Sequence, residues 1–259
     1  MKKILFLGYN IKKTKLLNQI KNFDKNIYIK NYSSKINFKM IKNFDLVICY
    51  GYKHIIDSEI LSKYKNKIIN LHISYLPFNK GAHPNFWSFA DNTPSGVTIH
   101  EIDKNLDSGK IIYQKKIDFN ILKNKKKLNF ENTYKILRSE VEKLFIDNIE
   151  KLLNQKFKSY TQIGIETYHS KKDLPKILKS WKQNIFNTIT KYNKQKKLLL
   201  RKKIELINQV EKTRKNNNVN WMDLVRISLK TSPIKTLEIL KKINTDDEKI
   251  SQLFKKINE

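Results

Sequence analysis

An amide and an imidazole two residues apart, Asn70 and His72 in "KIINLHI", stand just ahead of the loop "SYLPFNKGAHPNFW". A strand that only filled a core would spend those positions on Val or Ile. Side chains at i and i+2 of a strand face the same way, so the pair points together off the strand's end. Pro77, Gly81 and Pro84 give the following loop a fixed irregular path suited to a pocket wall. Downstream, the turn "DKNLDSG" supplies Asp103 and Asp107 and is closed by Gly109. An amide, an imidazole and a carboxylate at one place suit chemistry at a carbonyl. The amide donates to a developing oxyanion, the imidazole handles charge, and the carboxylate orients the imidazole or relays a proton. Taken singly, His72 reads as a hydrogen-bonded structural histidine and Asp107 as a turn residue, as Asp103 does. The combination carries the reading.

These residues need elements to hold them. Over residues 1–118, "KKILFLGY", "NIYIKNY", "DLVICYGY" and "KIINLHI" read as strands, with "TKLLNQIKNF" and "DSEILSKY" as helices between them. That alternation predicts an open α/β domain with a mostly parallel sheet, whose ligands gather at the carboxyl ends of the strands. Gly8 stands without a G-x-G-x-x-G around it, so a dinucleotide cofactor is not expected. "GVTIHEI" and "KIIYQKKIDF" read as two paired strands. "NFENTYKILRSEVEKLFIDNIEKLLNQ" has helical apolar spacing and predicts one long helix on the sheet. After Pro175 the chain turns polar and helix-prone, and Ser232 with Pro233 marks a late helix start. Trp221, Leu224, Val225, Leu237, Ile239, Leu240, Ile250 and Leu253 are expected to form a small helical core. The expected division is a catalytic domain at 1–178 and a helical extension at 179–259.

"NLHISYLPFNKGAHPNFW" followed by "GVTIHEIDKNLDSGKII" resembles the formyltransferases that use 10-formyltetrahydrofolate, whose members act on glycinamide ribonucleotide, methionyl-tRNA or amino sugars. The resemblance is collinear over 1–118 and most specific from 69 to 112. It rests on Asn70, His72, Ser74 to Pro77, Gly81 and Leu106 to Gly109. It departs at Ile73, where the family often has proline, and at Tyr75, where it has leucine; neither removes a reacting group. The resemblance implies a Rossmann-like sheet and a catalytic trio of Asn70, His72 and Asp107. It implies a folate side at His54, Ile55 and Ile56 with the turn that holds Asp103, and 10-formyltetrahydrofolate as co-substrate. "GAHPNFWSF" and "ETYHSKKDL" resemble the sugar-modifying branch, which implies a nucleotide-linked amino-deoxy sugar as acceptor. Lys80 and Gly81 are the candidates for substrate contact, Lys80 toward a phosphate.

The formal net charge of +29 invites a nucleic-acid reading. The charge is nearly all lysine; the arginines are Arg138, Arg201, Arg214 and Arg226, and from Leu71 to Gly109 the only cations are Lys80 and Lys104. Nucleic acid is therefore not expected as a partner. No apolar run reaches bilayer length, so no membrane partner is expected. "MKKILFLGYN" breaks at Gly8 and Asn10 and reads as a first strand, and the lone Cys49 agrees with a reducing cytoplasm. No Cys/His cluster has metal-ligand spacing, and no metal is expected. Phe86, Trp87 and Phe89 read as core or pocket wall, while His83, His100 and His169 are given no ligand contact. The long helix or tail could pair two copies into a homodimer. Two rival readings stand beside the sugar enzyme. One is a methionyl-tRNA formyltransferase, which would carry a barrel-like tail rather than helices. The other is a noncatalytic nucleic-acid-binding or scaffold protein on the same fold.

Overall fold

A strand buried on both faces belongs in the middle of a sheet, and β1 (Lys2–Gly8) is one, with Ile4 to Leu7 at 0 or 1% exposure. The computed structural model describes residues 1–64, 67–119 and 128–257, side chains at 210–211, 213–220, 250 and 253–257 excepted. β1 pairs in parallel with β2 (Ile27–Tyr32) on one side and β3 (Leu46–Tyr50) on the other, and β4 (Ile68–His72) extends the parallel set from β3. β5 (Lys80–Gly81) lies apart from this sheet. Strand direction then reverses. β6 (Gly96–Glu101) runs antiparallel to β4, and β7 (Ile111–Lys116) antiparallel to β6, for an order β2-β1-β3-β4-β6-β7. β8 (Tyr168–His169) pairs in parallel with β5. The mostly parallel α/β sheet expected from the alternation is present.

The sheet's two faces are sorted by the period of two. Ile4, Phe6, Ile48, Ile69, Leu71, Val97 and Ile99 meet α1 (Leu16–Phe23) and α5 (Phe130–Asp147) through Leu16, Ile20, Leu137, Val141 and Phe145. Leu5, Leu7, Val47, Cys49 and Ile68 meet Ile41 of α2 (Phe38–Ile41) and Ile60 of α3 (Ser58–Lys63) on the opposite face. A third cluster joins Phe86 and Trp87 of α4 (Pro84–Ala90) to Phe130 and to Ile185. Phe86 and Trp87 are thus core, as expected.

The stretch expected as one helix is broken. α5 starts on the Asn129 side chain, which accepts the Asn132 N–H, and ends at Asn148, where the backbone leaves helical geometry and the side-chain amide takes the Leu144 carbonyl. α6 (Ile149–Leu153) follows as a separate turn. Asparagine competes for backbone groups in this way, which is why it ends helices.

The chain forms two compact units, Met1–Lys194 and Gln195–Glu259, with the boundary inside α7 (Ile185–Thr231). Ile189 and Tyr192 pack with the third cluster of the first unit, beyond the boundary expected at 178. The second unit holds the rest of α7 and α8 (Pro233–Ile257), which begins at Pro233 as expected, with the Ser232 carbonyl taking the Thr236 N–H. Among the described residues the expected small core is not formed. Trp221, Leu224, Leu237 and Ile239 are 52 to 58% exposed, Val225 and Leu240 are half-buried, and the side chains of Ile250 and Leu253 lie outside the described residues. Two helices give a side chain one neighbour to bury against, where a core residue needs several. Among the described residues no helix is long and apolar enough to cross a membrane.

The packing contrast is measurable. Phe145→Ala should cost about 3–5 kcal/mol in urea denaturation, because the ring is fully buried between helix and sheet. Leu224→Ala should stay within about 0.5 kcal/mol.

Candidate active site

At the carboxyl end of β4 the alternation that builds the core starts to carry polar groups. Ile69 and Leu71 face α1 and α5, so Asn70 and His72 face the other way, beyond Ile68 of the second core. β6 repeats the pattern, with Val97 and Ile99 inward and Thr98 and His100 opposite. The register sets Asn70 against His100 and His72 against Thr98, and opposed residues of an antiparallel pair share a face.

Asn70 Nδ2 lies 3.1 Å from His100 Nε2, and His100 Nδ1 lies 2.7 Å from the Glu101 carbonyl oxygen. A carbonyl can only accept, so Nδ1 carries the ring proton and Nε2 accepts from Asn70. Burial pushes the His100 pKa down from 6.5 to about 4, against the opposing pull of Asp107. The ring is therefore neutral at pH 7 and suited to this acceptor role. From sequence His100 has no assigned function. Its only local signal was a lone imidazole in "GVTIHEI", and its meaning depends on the β4–β6 register.

Asp107 completes the group from a turn on which its φ is +50°. Oδ2 accepts the Gly81 N–H at 2.9 Å, and Oδ1 lies 3.4 Å from Asn70 Nδ2. His72 Nε2 stands 3.8 Å from Oδ2, and His100 Nε2 3.7 Å from Oδ1. Burial works to raise the carboxyl pKa. The two histidines, the Gly81 N–H and Lys80 outweigh it and hold the group below the usual carboxylate range. His72 Nε2 is itself buried without a hydrogen-bond partner, an orphan that a ligand oxygen would satisfy. The structure thus brings Asn70, His72 and Asp107 together and adds His100 behind them.

Asn70, His72 and Asp107 line a cavity of about 610 Å³, within the range of small-molecule sites. One wall is aromatic and cationic. The Arg138 guanidinium lies 4.6 Å from the Tyr9 ring centroid, and its Nε donates to the Tyr50 hydroxyl at 3.1 Å. The Tyr9 and Tyr134 hydroxyls share a hydrogen bond of 2.9 Å. Lys53, Lys171 and His83 also line the cavity, with Trp181 beside His83. Sequence marks only the segment from Tyr50 within this wall, as part of the folate side; Tyr9, Tyr134, Arg138, Lys171 and Trp181 gather there from separate stretches of chain.

The remaining candidates are placed as follows. Gly81 lines the cavity and binds Asp107, but Lys80 is buried and lies 2.8 Å from Glu166 in an ion pair that lacks hydrogen-bond geometry. His54, Ile55 and Ile56 do not line the cavity; Gly51, Tyr52 and Lys53 just before them do. Ile56 packs in the second core, while His54 and Ile55 are exposed. Asp103 accepts from the Asn105 N–H and the Ser108 hydroxyl and acts as a turn residue. His169 binds Asp91 at 2.7 Å and stacks on Trp87, outside the cavity. Among the described residues no group of three or more His, Cys, Asp and Glu could hold a metal ion.

His100 has a pKa below its unfolded value, so it contributes stability that is complete above pH 6.5 and lost as the pH falls toward 4. Asp107, also lowered, contributes stability lost at still lower pH. Thermal melts from pH 7 to 4 should fall more steeply for the wild type than for His100→Gln. In NMR titration the His100 ring should stay neutral at pH 5.5.

A family model described as "Formyl transferase" matches residues 22–145. The formyltransferase PseJ from Anoxybacillus kamchatkensis, solved in complex with UDP-4,6-dideoxy-4-formamido-L-AltNAc and tetrahydrofolate, is 36% identical with a TM-score of 0.65, over 72% of this chain and 97% of that one. Methionyl-tRNA formyltransferase of Thermodesulfovibrio yellowstonii is 35% identical over 152 residues, covering 56% of this chain and 46% of the relative. The dTDP-4-amino-4,6-dideoxyglucose formyltransferase of Mycobacterium bovis is 34% identical over 77 residues, 30% of this chain and 32% of the relative. The chain spans less than half the length of these two curated relatives. Likeness at 36% identity along 97% of a solved formyltransferase, with the family's model matched from residue 22 to 145, means that the chain belongs to the formyltransferase family.

Proposed function

We propose that this chain transfers the formyl group of 10-formyltetrahydrofolate to the amine of a nucleotide-linked amino-deoxy sugar. The observation that carries the proposal is the meeting of Asn70, His72 and Asp107 at one cavity wall, with His72 Nε2 buried and unpartnered. Folate supplies the electrophilic carbon. Asn70 and His72 donate to the carbonyl oxygen as negative charge develops on it, the role in which positioned donors are most effective. His100 holds one Asn70 N–H, and the long 3.4 Å contact to Asp107 leaves the other open to redirection. Asp107, ionised and beside His72, takes the proton the amine loses as its bond to carbon forms. That proton returns to the departing folate nitrogen.

Exposed Ile55 and Leu106 support a folate face on the segments around 51–56 and 103–107. The cations Lys53, Arg138 and Lys171 support an anionic acceptor such as a nucleotide diphosphate. The sugar reading is further supported by similarity along 97% of PseJ, against 46% of the methionyl-tRNA enzyme. The catalytic domain of this reading takes in the segment expected at 1–178 and runs on to Lys194, since Trp181 lines the cavity, with the helices beyond it outside the chemistry. Its setting would be cytoplasmic assembly of a surface polysaccharide. A tRNA acceptor stays as the second reading because of that 35% identity.

Mass spectrometry of amine acceptors incubated with the protein and 10-formyltetrahydrofolate tests the assignment. One nucleotide-linked 3-amino or 4-amino sugar should gain a formyl group, and methionyl-tRNA and glycinamide ribonucleotide should not. Formylation of the tRNA would move the function to translation, and no formylation of any acceptor would point to a noncatalytic protein. Asn70→Ala and His72→Ala should each lower kcat at least about 100-fold, with Asp107→Asn similarly impaired and circular dichroism unchanged. A folded His72→Ala protein with near-normal turnover would sink the catalytic assignment.

A further inference from the structure

The turn that presents Asp107 is held in a conformation that its own residues would not choose. Asp107 sits at a φ of +50°, in the left-handed region that costs a non-glycine residue on the order of 1 kcal/mol or more. Gly109 runs so close to β6 that a Cβ there would lie 1.8 Å from the Glu101 carbonyl oxygen. Bonds from the Asn105 N–H and the Ser108 hydroxyl to Asp103 brace the turn from within, and one side chain reaches it from more than fifty positions away. Gln162 Nε2 donates to the Asp107 carbonyl at 2.9 Å and to the Gly109 carbonyl at 2.8 Å. Its Oε1 is buried with no hydrogen-bond partner. A side chain kept only to fill space would not leave a buried acceptor unmatched, since that costs about 1–3 kcal/mol. The two donated bonds are what the position supplies.

The segment around Gln162 is anchored on both sides. Tyr160 bridges Ile111 at the start of β7, with bonds of 2.8 and 3.0 Å. Further on, β8 pairs with β5, where the Gly81 N–H binds Asp107 Oδ2 at 2.9 Å. One stretch, 160–169, therefore governs Asp107 from two directions: its main chain through Gln162 and its carboxylate through Gly81.

We propose that Gln162 is a positioning residue for the transfer reaction, clamping the Asp107–Gly109 turn so that the carboxylate stays beside His72. The proposal rests on the formyl-transfer reading, and it places Gln162 behind the reacting groups rather than among them. Removing its donors frees the turn to relax from positive φ and swings the carboxylate away from Gly81 and the two histidines. A misplacement of about 1 Å at a reacting centre can cost roughly 100-fold in rate.

The test uses the full chain with Gln162→Met, which keeps length and apolar bulk but has no donors, beside Gln162→Ala. Both should fold and show kcat lowered about 10- to 100-fold, with KM for folate and acceptor changed less than about threefold. The acid limb of the pH–rate profile and the Asp107 carboxyl titration, read by carbon NMR, should both move to higher pH. Wild-type kcat and an unmoved Asp107 titration in folded Gln162→Met would overturn the proposal. So would failure of both variants to fold, which would make Gln162 a residue of the fold alone. If the wild type formylates no acceptor, the proposed function fails separately, and the Asp107 titration still decides whether Gln162 positions it.

Discussion

A carboxylate with 9% of its side chain exposed stays charged only where the surroundings replace water. At Asp107 the replacements are a backbone N–H from Gly81, the Asn70 amide and the His72 imidazole. They come from β4 and β5, and β6 joins through the His100–Asn70 bond, so the carboxylate ties together β4, β5, β6 and the turn that carries it. Gly81 can serve only because β5 is held by β8, far along the chain. The turn can serve only because a glycine at 109 lets it pass against β6. What reads as a catalytic trio is thus the visible part of a larger compensation for one buried charge.

The sheet explains why this happens where it does. The parallel strands build two cores by strict alternation, one under α1 and α5, the other under α2 and α3. At the end of β4 the second core stops at Ile68, and the next two positions on that face are Asn70 and His72. The reversal of direction at β6 then brings His100 up beside them through the antiparallel pairing of β4 and β6. Open sheets collect ligands at the carboxyl ends of their strands because the cover ends there while backbone and side chains remain rigidly paired. His100 shows the same economy: buried and neutral, it fixes the orientation of the Asn70 amide and takes no proton near pH 7.

Charge divides into parts with separate physical meanings. Most of the +29 is lysine spread along the surface, where water screens it. Lys80 is the contrary case, buried and held by Glu166, with its field felt at Asp107. Lys53, Arg138 and Lys171 face the cavity and favour an anion there. The helical second unit leaves Trp221, Leu224, Leu237 and Ile239 exposed, so these four record helical periodicity without burial.

How much of this was legible before the fold was known follows from the reach of each signal. Alternation in "KIINLHI" is local, so the facing of Asn70 with His72 could be read directly, as could the strands of the sheet and the helix start at Pro233. The break at Asn148 was not, because apolar spacing continues through it while a single side-chain bond ends the helix. The expected core of the second unit failed for a related reason: periodicity says which face is apolar, not what covers it. His100 and Gln162 lie 30 and 55 positions from the groups they hold, and no short-range pattern encodes such distances. Residue types and local periods were settled along the chain. Register between strands, the meeting of distant side chains and the cavity walls were settled only in three dimensions, because each depends on which surfaces burial forces together.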